Sequence, residues 1–209
     1  QWDPVALSYG PTGQECPPFV ITGVLLPGST VVMGGQPWQV HAAPGHDPHS
    51  VILFEPTARV LISADALWEA GFGVIFPELD GDAGFADVAL TLDLIESLNP
   101  AIVIPGHGRV FTDLASALAA ARKRLEGFVR DPRKHAVHAA KVLLKFKLLE
   151  LQRVALPAFV QWAQGADLIM SVHHQHFAQV PMGDWVKDLS LDLVRSGAAA
   201  VDGDSLLNA

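Results

Sequence analysis

Cysteine is nearly absent from this chain: Cys16 stands alone among 209 residues. That excludes an internal disulfide framework and fits a reducing, cytoplasmic setting. No basic neighbour would depress the thiol's pKa, so Cys16 reads as a packed or loop thiol without a role. Charged residues are also sparse, at 17% against 50% apolar, which excludes a disordered chain. Long hydrophobic runs are missing, since stretches such as 51–54 and 101–104 are far too short to cross a bilayer. There is no cleavable signal pattern, no Gly-x-Ser-x-Gly elbow, no phosphate-cradling glycine loop and no internal repeat. The first residue is Gln1 rather than methionine, as expected of a processed, cleaved or partly recorded polypeptide. The apolar content exceeds what a self-contained soluble domain needs and predicts a face that something else covers.

Charge is distributed unevenly. Residues 1–121 carry 2 basic and 13 acidic side chains, residues 122–153 carry 10 and 3, and the whole chain has a net charge of −8. A globally acidic chain is a poor nucleic-acid ligand. The basic stretch is the best case for one, but its charges alternate with Leu125, Phe128, Val137, Val142, Leu143 and Leu148, as on a solvated face opposite a packed one. A nucleic-acid partner is therefore not expected.

The Pro- and Gly-rich residues 1–23 read as a connector. Short apolar or alternating runs at 31–33, 38–42, 51–55 and 60–64, separated by turn signals, predict neighbouring strands. Residues 86–98 show helical spacing stopped by Asn99-Pro100, and 101–104 follow as a buried strand. Thr112-Asp113 then supplies an N-cap for a helix to about residue 130. This is an α/β layer arrangement over residues 24–131. Residues 132–209 predict helices at 133–151, 156–164, 167–177 and 184–195, closed by a small hairpin at 198–207: a helical, winged-helix-like domain.

Three turns at strand ends carry metal-ligating residue types. His46 sits in the turn Pro44-Gly45-His46-Asp47-Pro48-His49, Asp65 ends the second strand of a hairpin in Ser63-Ala64-Asp65, and His107 follows the next buried strand in Pro105-Gly106-His107-Gly108. Separate strands thus bring imidazole, carboxylate and imidazole toward one edge of a sheet, where cations are held rigidly within reach of solvent.

This combination resembles the metallo-β-lactamase-fold hydrolases, especially the glyoxalase-II-like and related members, over about residues 24–113. The resemblance implies an αββα sandwich and two divalent transition-metal ions, zinc first, with iron and manganese also compatible with His and Asp ligands. It implies that His46 ligates one metal, that Asp65 bridges both as the catalytic carboxylate, and that His107 ligates the other. The family's His-x-His-x-Asp-His motif, source of the remaining ligands, is absent. The expectation is therefore the C-terminal half of the fold, with the N-terminal half supplied in cis or by a companion chain.

The implied reaction on a small-molecule substrate is attack of a metal-bound hydroxide on an ester, thioester or related acyl bond. A phosphodiester, as in a nuclease of the same fold, and a non-catalytic binding module are the alternatives. Neither a membrane partner nor a particular oligomeric state is implied, and a homo-oligomer stays open. Among other residues, His49 and Arg109 read as substrate contacts or plain surface, and His41 as a strand residue that is not a ligand. Trp68 and Phe72 read as an apolar lid or core packing. His173, His174 and His176 read as helix surface, and Asp80-Gly81-Asp82 as a turn.

Overall fold

The computed structural model describes residues 12–13 and 20–209. Cys16 and most of the 1–23 connector lie outside the described residues. The chain divides into two compact units, Val20–Pro132 and a second that contains Arg133–Ala209.

In the first unit, residues 20–29 carry no regular element before the strands begin. Strands β1 (Thr30–Met33), β2 (Gln36–Ala42), β3 (Val51–Glu55) and β4 (Val60–Ala64) pair in sequence order, all antiparallel. Gly34 and Gly35, at φ +58° and +77°, form the two-residue turn from β1 to β2, a connection that requires two left-handed residues. Strand β5 (Ile102–Pro105) adds parallel to β4. A parallel neighbour needs a crossover rather than a tight turn, and helices α1 (Pro77–Asp80) and α2 (Gly84–Leu98) supply it. Asn99, left-handed at φ +47°, closes α2 by directing its N–H to the Ile95 and Glu96 carbonyls. Helix α3 (Leu114–Arg130) starts at Asp113, whose Oδ1 accepts from the Ser116 N–H at 3.0 Å.

The core lies on one face of this sheet. Phe54, Leu61 and Val103 stand side by side across β3, β4 and β5 and cluster with Val88, Leu92 and Ile95 of α2 and Leu118, Ala121 and Leu125 of α3. Each such side chain, fully buried, contributes about 1.5–3 kcal/mol. The opposite face is also apolar: Leu53, Ile62 and Ile104 share one row, and Val60 and Ile102 the next. On that face Ile102 and Ile104 are exposed. A sheet face that meets water is normally polar, so the apolar excess of the composition resides here, together with the exposed Val20, Ile21, Val24, Leu25 and Leu26.

The second unit runs α4 (Pro132–Leu151), β6 (Arg153–Ala155), α5 (Leu156–Ala163), α6 (Asp167–His176), α7 (Met182–Arg195), β7 (Ala199–Asp202) and β8 (Ser205–Asn208). Its three strands form an antiparallel sheet in the order β6-β8-β7. Lys145 Nζ ties the terminal hairpin to α4 through the Ala198 carbonyl at 2.6 Å and Asn208 Oδ1 at 2.5 Å. The basic residues here are largely engaged internally: Lys141 with Asp192, Lys147 with Glu150 and Arg153 with Asp202.

Two elements escaped the sequence pattern, α1 and β6. With four and three residues, neither spans enough of a period to be seen. Gly81, left-handed at φ +88°, caps α1, so Asp80-Gly81-Asp82 is a turn. His173 departs from the helix-surface expectation. It is buried with its ring 5.4 Å from Trp185, and its Nε2 faces the Val180 carbonyl at 2.8 Å, because α6 turns that side toward α7. Among the described residues no helix is long and apolar enough to cross a membrane.

Candidate metal centre

His46 is fixed from several sides. Gly45, at φ +137°, lies against α2 so closely that a Cβ would sit 2.5 Å from Val88 Cγ2, so glycine is needed both for conformation and for approach. The Thr91 hydroxyl donates to the Pro44 carbonyl at 2.8 Å, and the Phe76 N–H donates to the His46 carbonyl at 3.2 Å. The ring is oriented by Nδ1, which lies 2.5 Å from the Val74 carbonyl. A carbonyl only accepts, so Nδ1 carries a proton and Nε2 is the nitrogen available as a ligand in the neutral ring.

Asp65 leaves the sheet through an irregularity. The β4–β5 register shifts between Ile62 and Ala64, and Ala64 adopts φ +45°, a left-handed conformation that costs a residue with a Cβ about 1–2 kcal/mol. Bulges of this kind re-aim a side chain at the end of a strand. The Gly106 N–H donates to the Ala64 carbonyl at 2.7 Å and the Gly73 N–H to the Asp65 carbonyl at 2.8 Å. Both glycines also leave room for the site. A Cβ on Gly73 would stand 2.7 Å from His46 Nδ1 and 2.9 Å from Asp65 Cβ, and one on Gly106 would stand 2.7 Å from Asp65 Oδ1.

His107, in the exposed loop after β5, completes the arrangement. His46 Nε2 lies 3.4 Å from Asp65 Oδ2, and His107 Nε2 lies 3.7 Å from Asp65 Oδ1. The two imidazoles therefore approach different oxygens of one carboxylate. In the neutral ring Nε2 presents its lone pair toward a carboxylate oxygen, as two ligands of one cation do; in the protonated ring the same contact is an ion pair. Two ligand atoms on one zinc-sized ion, each about 2.0–2.2 Å from it at a near-tetrahedral angle, lie about 3.4 Å apart; the His46–Asp65 separation matches this and the His107–Asp65 separation is longer. The donor set and the cradle left by Gly73 and Gly106 are chemically suited to a divalent metal ion. Among the described residues no group of three or more His, Cys, Asp or Glu side chains is placed to hold a metal ion by itself.

The family model described as the metallo-beta-lactamase superfamily matches residues 3–107, a span that includes His46 and Asp65 and ends on His107. The chain belongs to the metallo-beta-lactamase superfamily. That superfamily consists mostly of hydrolytic enzymes that bind divalent metals. The chain is similar to a beta-lactamase domain protein from Burkholderia ambifaria, at 18% identity over 93% of this chain and 54% of that one, with a TM-score of 0.46. It is similar to a metallo-beta-lactamase family protein from Thermus thermophilus, at 17% identity over 88% and 54%, TM-score 0.40. It also resembles TTHA1623, solved in a di-iron-bound form, at 28% identity over 50% and 49%, TM-score 0.41. The chain spans about half the length of these solved relatives. The search of curated proteins found no match.

Within this superfamily member the remaining candidates separate cleanly. His49 and Arg109 are exposed, and the His49 N–H donates to Asp47 Oδ1 at 2.7 Å. His41 lies on β2, contacts Gln39 Oε1 at 3.1 Å, and burial pushes its pKa down. Phe72 is core, packed edge-on to Phe128. Trp68 instead reaches the site: its Nε1 donates to Asp65 Oδ1 at 3.0 Å, and its ring meets His107 edge-on at 5.2 Å. Phe76 flanks His46 on the other side, with ring centroids 5.1 Å apart. The orienting groups, Trp68 and the Val74 carbonyl, had no sequence signal beyond their nearness to Asp65. Gly106 was legible as part of the turn before His107, whereas Gly73 carried no signal of its own.

Proposed function

We propose that this chain contributes the second half of a dinuclear metal site in a metal-dependent hydrolase, with His46 and His107 as ligands of separate ions and Asp65 bridging them. The observation that carries the reading is the geometry of Asp65, whose two oxygens each face a different imidazole Nε2 at 3.4 Å and 3.7 Å. Zinc is the first choice of metal, and the same donors accept iron or manganese. When bound, such a pair activates a water at neutral pH and polarises the substrate oxygen. This chain's residues orient the ligands, through the Val74 carbonyl and the Trp68 indole, and wall the site with Trp68 and Phe76. The small-molecule substrate would carry an ester, thioester or related acyl bond, with the phosphodiester as alternative.

Three ligands cannot hold two ions tightly, so the reading needs a companion half bearing the missing ligands, in the same polypeptide or in another. The apolar second face of the sheet supports that need. The order α4-β6-α5-α6-α7-β7-β8 with sheet order β6-β8-β7 supports a winged-helix-like second unit. Its internally paired lysines and arginines support a role in packing or association rather than nucleic-acid binding. The near absence of cysteine supports a cytoplasmic location.

The test is metal content and hydrolysis by the full protein, with His46→Ala, Asp65→Ala and His107→Ala. Asp65→Ala should lower both ion content and turnover of a thioester by more than the roughly 10- to 100-fold that loss of an outer partner costs. Full metal content in all three variants would sink the reading. A metal-free wild type of normal thermal stability would favour a binding module, and turnover confined to a phosphodiester would shift the substrate class.

A further inference from the structure

We infer that Trp68 is a positioning residue of this site, an indole that holds Asp65 and His107 together in the orientation in which they face a shared ion; this rests on the metal-centre reading above. Trp68 Nε1 donates at 3.0 Å to Asp65 Oδ1, the same oxygen that His107 Nε2 approaches at 3.7 Å. A carboxylate oxygen has two lone-pair directions. With the indole on one, the other is left for the ion that His107 shares. The indole N–H only donates, so it fixes the carboxylate without competing for metal. The same ring stands edge-on to His107, at 5.2 Å and 76°, and limits the rotation of that imidazole. One side chain therefore orients two ligands, whereas the main chain, through the Val74 carbonyl, orients His46.

Trp68 is itself held. Its main-chain N–H donates to the Gly71 carbonyl at 2.6 Å, closing a tight loop. Gly71 has φ +135°, and a Cβ there would lie 2.7 Å from Arg124 Nη1. The Arg124 guanidinium, on α3, lies 5.4 Å from the ring centroids of both Phe72 and Phe128. Burial lowers its pKa, as expected of a cation seated among aromatic rings. Helix α3 thus braces the loop that aims Trp68. A side chain that hydrogen-bonds a metal ligand sets that ligand's orientation and typically accounts for 10- to 100-fold in metal affinity.

The test separates the N–H from the ring. Trp68→Phe keeps an aromatic edge against His107 and removes the donor, while Trp68→Leu removes both. Zinc affinity of the full protein, companion half included, read by competition with a chromophoric chelator, should fall about tenfold in Trp68→Phe and further in Trp68→Leu. The thermal midpoint and near-UV dichroism of Trp68→Phe, allowing for the lost chromophore, should stay close to wild type. A metal-free readout accompanies it: hydrogen exchange at the Trp68 indole, identified by the resonance that Trp68→Phe removes, should be slow in wild type and fast in Asp65→Ala. Zinc affinity within about twofold of wild type in Trp68→Phe overturns the proposal, as does indole exchange indifferent to Asp65→Ala. Wild-type zinc binding that is equally strong in His46→Ala and His107→Ala instead overturns the metal-centre reading, and the proposal with it.

Discussion

Asp65 is the residue on which the site turns, and its surroundings are built around the space it occupies. Gly73 is buried and has both His46 and Asp65 within reach of a single added carbon, at 2.7 Å and 2.9 Å, so an added Cβ forces one of those side chains to shift. Gly73→Ala should therefore destabilise the fold by about 1–3 kcal/mol, the usual cost of overpacking. It should also weaken zinc binding, because the displaced groups are the proposed ligands. Urea unfolding and chelator competition on the same variant would check this, and unchanged zinc affinity would refute it. At this scale the sequence named the ligand-type residues because each sits in a short turn motif of its own. It carried no sign that Trp68 donates to Asp65 or that Val74 accepts from His46, since both contacts depend on how the loop from residue 65 to 76 folds back over the sheet.

Elements here are held at their ends by side chains that meet main-chain donors. Glu55, the last residue of β3, receives the Thr57 N–H on Oε1 at 2.9 Å and the Ala58 N–H on Oε2 at 2.6 Å, closing the β3–β4 turn. Those bonds favour the charged form and hold its pKa below the ordinary glutamate value of 4.5. A carboxylate whose pKa is lower in the folded state contributes stability that is fully present above its unfolded pKa and is lost as pH falls through the folded value. The difference in stability between wild type and Glu55→Gln should therefore be constant above about pH 5.5 and shrink below 4.5. Urea unfolding from about pH 3 to 7 would measure it, and a difference independent of pH would argue against the turn bonds. Helix α3 was legible from its N-cap Asp113, and β1 to β4 from their alternation, because those signals are local. Helix α1 and strand β6 were not, as elements of one turn or three residues exist only where neighbours hold them.

Within the first unit, the telling feature is a sheet apolar on both faces, with α2 and α3 over one and, among the described residues of that unit, no helix over the other. Leu53, Ile62 and Ile104 form a continuous row on that second face, and exposed apolar surface of this kind is a candidate interaction site. The chain alone should bind an apolar-surface dye, and Ile62→Lys with Ile104→Lys should remove most of that fluorescence while leaving the far-UV dichroism unchanged. A signal untouched by the double variant would mean that this face does not take the dye. The sequence by itself determined the strand and helix order, the excess of apolar surface, the exclusion of a disulfide framework and the three turns that carry His46, Asp65 and His107. These follow from periodicity, composition and short motifs, which act within a few residues of chain. Only the tertiary structure decided that His46 and His107 meet opposite oxygens of Asp65, that Trp68 braces the carboxylate while Phe72 goes to the core, and which sheet face α2 and α3 cover. Those outcomes depend on contacts between segments far apart in the chain, fixed by the β4–β5 register shift and by the packing of α2 and α3, and no local pattern encodes them.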